Sequence, residues 1–274
     1  MVIHMVELLA NVRYKTKEAQ QMITLALAVV FTGLVFIGTA MISIALSSTG
    51  YFNIGEAFVY IAAIIGGPIV GGIAGAVGSS LADIALGYGI YAPGTFIFKG
   101  LEGVVVGFLV QFAYRTNKTL RKVLLGVFFV FIAAFTGYFS KFNIEGSITY
   151  SFGKSSNPIT FSFPGYVITI IAIVLALIVV FVAFKTDNGE LVLSCALGGL
   201  IIIIGYFLYQ ISPIIHAPVV SAAFEIPFNI FQVAIGTAIA IPVVHGLINI
   251  GVVTPPKKHK SQKSTELPLK DVTK

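Results

Sequence analysis

Long apolar runs, separated by short polar breaks from Ile23 to Ile250, leave this chain few ways to fold. A helix needs about 20 apolar residues to cross about 30 Å of hydrocarbon, and the segments 23–46, 95–114, 191–211 and 224–250 reach that length. Hydrophobic residues fill 57% of the 274 positions and charged residues only 10%, against about 25% charged in a soluble domain. Too few charges remain to build a water-facing surface, so the bilayer must act as solvent. The chain reads as an all-α integral membrane protein.

Eight helical segments are expected: 23–46, 56–65, 69–86, 95–114, 123–139, 166–184, 191–211 and 224–250. The basic residues Arg13, Lys15 and Lys17 before the first run resemble a signal peptide, but the run is too long for one and further spans follow, so it reads as a retained helix. The short second segment turns at Gly66-Gly67-Pro68, where Pro suits the first turn of the next helix. Read differently, the second and third segments form one broken span. Lys and Arg favour the cytoplasmic side. Fourteen of the 17 lie in 1–22, 115–122, 185–190 and 251–274, all on one side if the spans are counted as above. Merging the second and third segments would move 115–122 outside. The reading is therefore a plasma-membrane, multi-pass protein with both termini cytoplasmic. It has an amino-terminal segment 1–22, a membrane domain 23–250 and a basic, disordered tail 251–274. The tail serves as a topology anchor or touches anionic lipid heads. In the outer loop 140–164, Ile148, Tyr150 and Phe152 alternate, as do Ile159, Phe161 and Phe163 after Gly153–Pro158. That pattern marks a hairpin, acting as a lid or a plain spacer.

Several motifs exclude function classes. Gly67, Gly71, Gly75 and Ser79 recur every four residues, a spacing that lets helix backbones approach closely in lipid and that lacks the strand and acidic residue of a nucleotide-binding loop. Gly153-Lys154-Ser155 mimics the end of a P-loop, but Ile148 stands where the earlier Gly is required. No ATP site is encoded, so any ATP drive comes from another chain. Cys195 is the sole cysteine, which rules out an internal disulfide and a Cys-rich metal site. His245 and Asn249, spaced i,i+4, suit helix packing rather than metal ligation, and His216 falls in an outer loop. The net charge of +6 sits in loops and the tail, against a nucleic-acid partner.

The sharpest clue is a set of ionisable residues inside spans: Glu56, Asp83, Lys99, Glu102 and Glu225. Each costs about 2.5–3.5 kcal/mol at mid-helix, so such groups usually mark a functional cavity. All five fall toward the outer half. Lys99 and Glu102 share a helix face, either as a structural ion pair or as ligand-binding groups, and Asn229 and Gln232 lie one and two turns below Glu225 on its face. Tyr88 and Tyr91 can stack on a ring. The pattern describes a polar pocket open to the outside, with no catalytic residue and no cofactor.

Two stretches resemble the substrate-binding S components of energy-coupling factor transporters, in the riboflavin-transporter-like branch. The first runs from Asn53-Ile54-Gly55-Glu56 through Gly66-Gly67-Pro68, Gly78-Ser79-Ser80-Leu81-Ala82-Asp83, Gly87-Tyr88 and Tyr91-Ala92-Pro93-Gly94-Thr95 to Lys99-Gly100-Leu101-Glu102-Gly103. The second joins Gly205-Tyr206-Phe207-Leu208 to Glu225-Ile226-Pro227-Phe228-Asn229-Ile230-Phe231-Gln232. The resemblance implies a six-helix core binding a vitamin-sized ligand from outside, with Asn53 and Thr95 joining the pocket. It implies a transmembrane coupling subunit and two ATPases as partners, and delivery by toppling of the S component. A coupling-subunit contact through an Ala-x-x-x-Ala motif would map to Ala28 and Thr32, with Gly33 following; Thr32 replaces the second Ala. Residues 120–190 depart from the family as an inserted helical hairpin. Two rival classes are a membrane enzyme acting on lipid or isoprenoid substrates and a solitary secondary transporter.

Overall fold

The computed structural model describes residues 17–41, 43–46, 50–113, 145–150, 159–164 and 189–251, with Val253 and scattered helical residues between 120 and 181. Helix α1 (Lys17–Met41) leads into a hairpin of β1 (Ser43–Leu46) and β2 (Gly50–Asn53). Then come α2 (Gly55–Ile73), a π-helical turn Ala74–Gly78, α3 (Ser79–Leu86) and α4 (Ala92–Ala113). A second hairpin pairs β3 (Glu145–Tyr150) with β4 (Ile159–Pro164), and α5 (Gly189–Ile211) and α6 (Val219–Asn249) complete the order. Among the described residues, five stretches are long and apolar enough to cross a membrane: residues 17–41, 55–86, 92–112, 189–211 and 221–249.

The stretch 55–86 is not one straight rod. Gly67 breaks it with φ 77° and ψ −171°, a backbone region open essentially to glycine alone. A Cβ added at Gly71 would strike Ala63, and one at Gly75 would come within 3.3 Å of Val59. Those pairs lie eight and sixteen residues apart, about 12 and 24 Å along a continuous helix. The chain therefore reverses at Gly67, and residues 55–66 pack antiparallel to residues 68–78. This is the turn expected at Gly66-Gly67-Pro68, where Pro68 lacks the amide hydrogen that a helix start leaves unbonded anyway.

Small residues set the packing. Gly71 and Gly72 face Gly103 and Gly100 of α4, Gly107 faces Pro68, and Gly75 abuts the Lys99 carbonyl. No side chain larger than hydrogen fits between these backbones, the close approach that favours association in lipid. Helix α5 runs antiparallel to α4, with Gly94 against Tyr209, Gly205 against Phe98 and Gly198 against Val106. Helix α6 closes the bundle on α5 and α2, Gly199 meeting Val233 and Gly236 meeting Glu56. Val35, Val59, Tyr60, Ile202, Ile203 and Val244 form the dry centre. Leu25, Val29 and Ile37 of α1 and Phe96, Leu101 and Phe108 of α4 point outward, as spans surrounded by lipid tails permit.

Two sequence expectations need amendment. The first helix ends at Met41, not 46, because Ser43–Leu46 leaves it to pair with Gly50–Asn53 in register Ser43↔Asn53. The described residues are thus helical with two small hairpins. The last helix begins at Val219, five residues before the expected 224, continuing from Pro218 as N-cap. The hairpin expected in 140–164 is present, Ile148 opposite Phe161 and Tyr150 opposite Ile159, and β3 lies alongside β1. The expected helices 123–139 and 166–184, the segment 1–16 and the tail beyond 253 fall largely or wholly outside the described residues.

Candidate functional site

A cleft opens at the end of the bundle that carries the β1–β2 hairpin and the α3–α4 and α5–α6 connections. It spans about 490 Å³ with its open mouth counted. Its walls come from five places: Thr39 of α1, Tyr51 and Asn53 of β2, Ser79 and Asp83 of α3, Tyr88 to Lys99 around the start of α4, and Tyr206 with Glu225, Asn229 and Gln232.

Local structure fixes each of these. Asn53 Oδ1 accepts from the Gly55 amide at 2.9 Å, tying β2 to the start of α2. The π-helical turn adds a residue to the repeat just before Ser79, changing the face on which Ser79 and Asp83 emerge; such turns recur at functional sites. Helix α3 ends on Gly87 in the left-handed conformation, φ 88°. The Tyr88 amide then donates to the Asp83 carbonyl at 2.7 Å, the backward bond of a Schellman cap. Asp83 and Tyr88 are thereby held as neighbours. Tyr209 donates to the Ile90 carbonyl at 2.9 Å and clips the α3–α4 connection to α5.

Behind the cleft floor lies a buried ionic cluster. Lys99 Nζ donates to Glu56 Oε2 and to Glu102 Oε2 at 3.5 Å. Gln232 Nε2 donates to Glu56 Oε2 at 2.9 Å, and Tyr60 to Glu102 Oε1 at 2.9 Å. Glu56, Lys99 and Glu102 are 1%, 3% and 0% exposed. Asn53 Nδ2 reaches Gln232 Oε1 at 3.4 Å, linking floor to hairpin. On the upper wall Tyr51 donates to Asp83 Oδ1 at 2.5 Å, Thr95 and Tyr206 share a hydrogen bond of 3.0 Å, and Gln210 Nε2 donates to Glu225 Oε2. The Tyr51 and Tyr88 rings stack at a tilt, centroids 4.8 Å apart. Burial raises the phenol pKa of both, Asp83 reinforcing the rise at Tyr51 and Glu225 with Asp83 at Tyr88. Tyr91 is raised by the same burial and carboxylates. All three phenols stay protonated donors at neutral pH.

Of the sequence-derived residues, Asn53, Asp83, Tyr88, Tyr91, Thr95, Lys99, Glu225, Asn229 and Gln232 line the cleft. Glu56 and Glu102 do not; they stand behind Lys99 and hold it. Thr39, Tyr51, Ser79 and Tyr206 also line it, and Tyr60 and Gln210 support it; none was expected as a site residue, although Ser79 and Tyr206 stand in the stretches that carry the resemblance. Tyr206 and Gln210, polar and one turn apart in an apolar run, carried a readable signal. On α1, Ala28 is buried against the bundle while Gly33 faces open space, with Thr32 between these extremes and bonded to the Ala28 carbonyl at 2.7 Å. His245 and Asn249 are exposed, and the described residues contain no group of three potential metal ligands.

A lipid-soluble helical bundle with a ring-lined polar cleft at one end is the form of a membrane-embedded substrate-binding protein. The family described as ECF-type riboflavin transporter, S component, matches residues 19–158, and the chain belongs to that family, the membrane substrate-binding subunits of energy-coupling factor transporters. The match covers the first four walls of the cleft and continues through half of the segment read as an insertion. A curated relative from Pyrococcus woesei, described as an uncharacterized protein in a gap 3′ region, is 41% identical over 80 residues, 29% of this chain and 53% of the relative. The chain thus spans about half the length of that relative. No solved structure matches.

Proposed function

We propose that this chain captures a vitamin-sized heteroaromatic molecule in the cleft from outside the cell, and passes it inward with a transmembrane coupling subunit and ATPases supplied by other chains. The carrying observation is convergence: thirteen polar or aromatic residues, from distant parts of the sequence, meet at one cleft. That cleft lies at the end away from Lys17 and Asn249, the described ends of the first and last helices. The excess of Lys and Arg beyond those ends favours placing them in the cytoplasm, which turns the cleft outward. A mostly apolar frame with a few placed polar groups suits small-molecule binding, and the tyrosine rings suit a planar ligand.

The test is retention of a small molecule by the purified full chain, read by mass spectrometry after denaturation and by calorimetry across a vitamin panel. Asn229→Ala and Tyr91→Ala are each expected to weaken retention at least tenfold without loss of folded protein. Undiminished retention in both would remove the cleft as the binding site. The buried Glu56–Lys99–Glu102 cluster also supports the solitary secondary-transporter reading, since carboxylates there could carry protons. Uptake into vesicles holding this chain alone, abolished by an uncoupler, would favour it over the coupled one.

A further inference from the structure

The charge balance of the cleft narrows the ligand class. Lys99 is the lone cation among the described lining residues, and it is engaged by two carboxylates, Glu56 and Glu102, beneath the floor. Asp83 and Glu225 line the walls and add the same negative sign. Asp83 is 4% exposed; Tyr51 donates to its Oδ1, and its Oδ2, within the cleft wall, has no well-formed hydrogen bond among the described residues, with the Thr95 hydroxyl, shared with Tyr206, as its weak neighbour. A buried carboxylate oxygen short of a donor is costly, and a positive group entering the cleft would satisfy it more strongly than water does. Three tyrosines line the cleft with Asp83: Tyr51, whose hydroxyl holds Oδ1 and whose ring meets Tyr88, and Tyr91, packed edge-on against Tyr209. Tyr88 and Tyr91 both lie close enough to Asp83 and Glu225 to feel their charge. Carboxylates beside tyrosine faces are the surroundings that bind an organic cation, through ion pairing and cation–π attraction together.

We propose that the ligand is a cationic heteroaromatic compound, its positive group seated at Asp83 among Tyr51, Tyr88 and Tyr91. The inference rests on the cleft being a ligand site and departs from a neutral flavin, the ligand that the family's description names. Glu225 and Asp83 provide the counter-charge, and Asn229 and Gln232 on the facing helix provide orientation through hydrogen bonds.

Calorimetry on the detergent-purified full chain compares compounds that differ in charge. The pairs are 1-methylnicotinamide against nicotinamide, the same ring with and without a positive charge, and thiamine against riboflavin. The cationic member is expected to bind at least tenfold more tightly in a pair. Asp83→Asn is expected to erase the preference, with Glu225→Gln as the second variant should the first fail to fold. Riboflavin or nicotinamide binding as tightly as its cationic counterpart would overturn the cation assignment and leave the receptor reading standing. If no probe binds, the formal charge of the molecule that copurifies decides, a cation supporting the proposal and a neutral or anionic compound overturning it. No binding and no copurifying molecule would overturn the receptor reading itself.

Discussion

Lys99 shows how one residue can be both scaffold and wall. It lines the cleft, yet its ammonium is engaged by Glu56 and Glu102, which are fully enclosed and depend on it for neutralisation. Removing one member of a buried ionic group costs about 3–5 kcal/mol, because the other charges are left uncompensated. Lys99→Met should therefore lower stability by about that amount, seen as a large fall in the thermal midpoint in detergent. Adding Glu56→Gln should recover part of the loss by removing one orphaned charge. A single variant as stable as wild type would mean that the carboxylates are not held by Lys99. The same residues explain what could be read in advance. Five ionisable groups stand out against apolar runs because each is expensive there, and all five meet at one end. Thr39 and Ser79 did not stand out, since a hydroxyl costs little in a span and blends into it. Spacing along a helix gives the face of Glu102 but not its depth, so its place behind Lys99 rather than in the wall was not legible.

Among the elements, the reversal at Gly67 organises the molecule. It places Glu56 at the start of α2 beside Gln232 and lets α3 return to carry Asp83 to the same end. Any side chain at Gly67 must take a positive φ with an extended ψ, a strain of about 1–3 kcal/mol. Gly67→Ala should destabilise by that amount although its added methyl has room, the nearest atom lying 3.8 Å away. Gly33→Ala is the control of opposite sign. Gly33 sits mid-helix with open space beside it, where Ala should gain about 0.5–1 kcal/mol. Equal shifts in thermal midpoint for the two would show that strain at Gly67 is absent. Gly-Gly-Pro advertised this turn, just as alternation advertised the β3–β4 hairpin. The β1–β2 hairpin was hidden because Ile44-Ala45-Leu46 simply extends the apolar run of α1, and a short apolar run does not declare helix or strand. The π-helical turn left no trace, since its extra residue is set by how Gly75 and Gly78 seat against α4 and α1.

For the whole molecule the decisive quantity is the side of the membrane on which the cleft opens, because a receptor for external solutes and an enzyme fed from the cytoplasmic leaflet need opposite answers. The fold supplies two well-separated reporters. Gly89, in the connection beside Tyr88, is exposed with free space around it, and Lys17 is exposed at the far end of α1. The native thiol, Cys195, is buried in the bundle and gives little background. Under the proposed orientation, Gly89→Cys reacts with a membrane-impermeant maleimide on intact cells, while Lys17→Cys reacts only after permeabilisation. The reverse pattern would put the acidic cleft on the cytoplasmic side, and capture of an external solute would then be untenable. It would also set the Lys- and Arg-rich segments outside, against the bias that governs helix insertion. Charge distribution and cleft position are thus tied together: the side that keeps the basic segments inside is the side that turns Asp83, Glu225 and the tyrosine rings toward the medium.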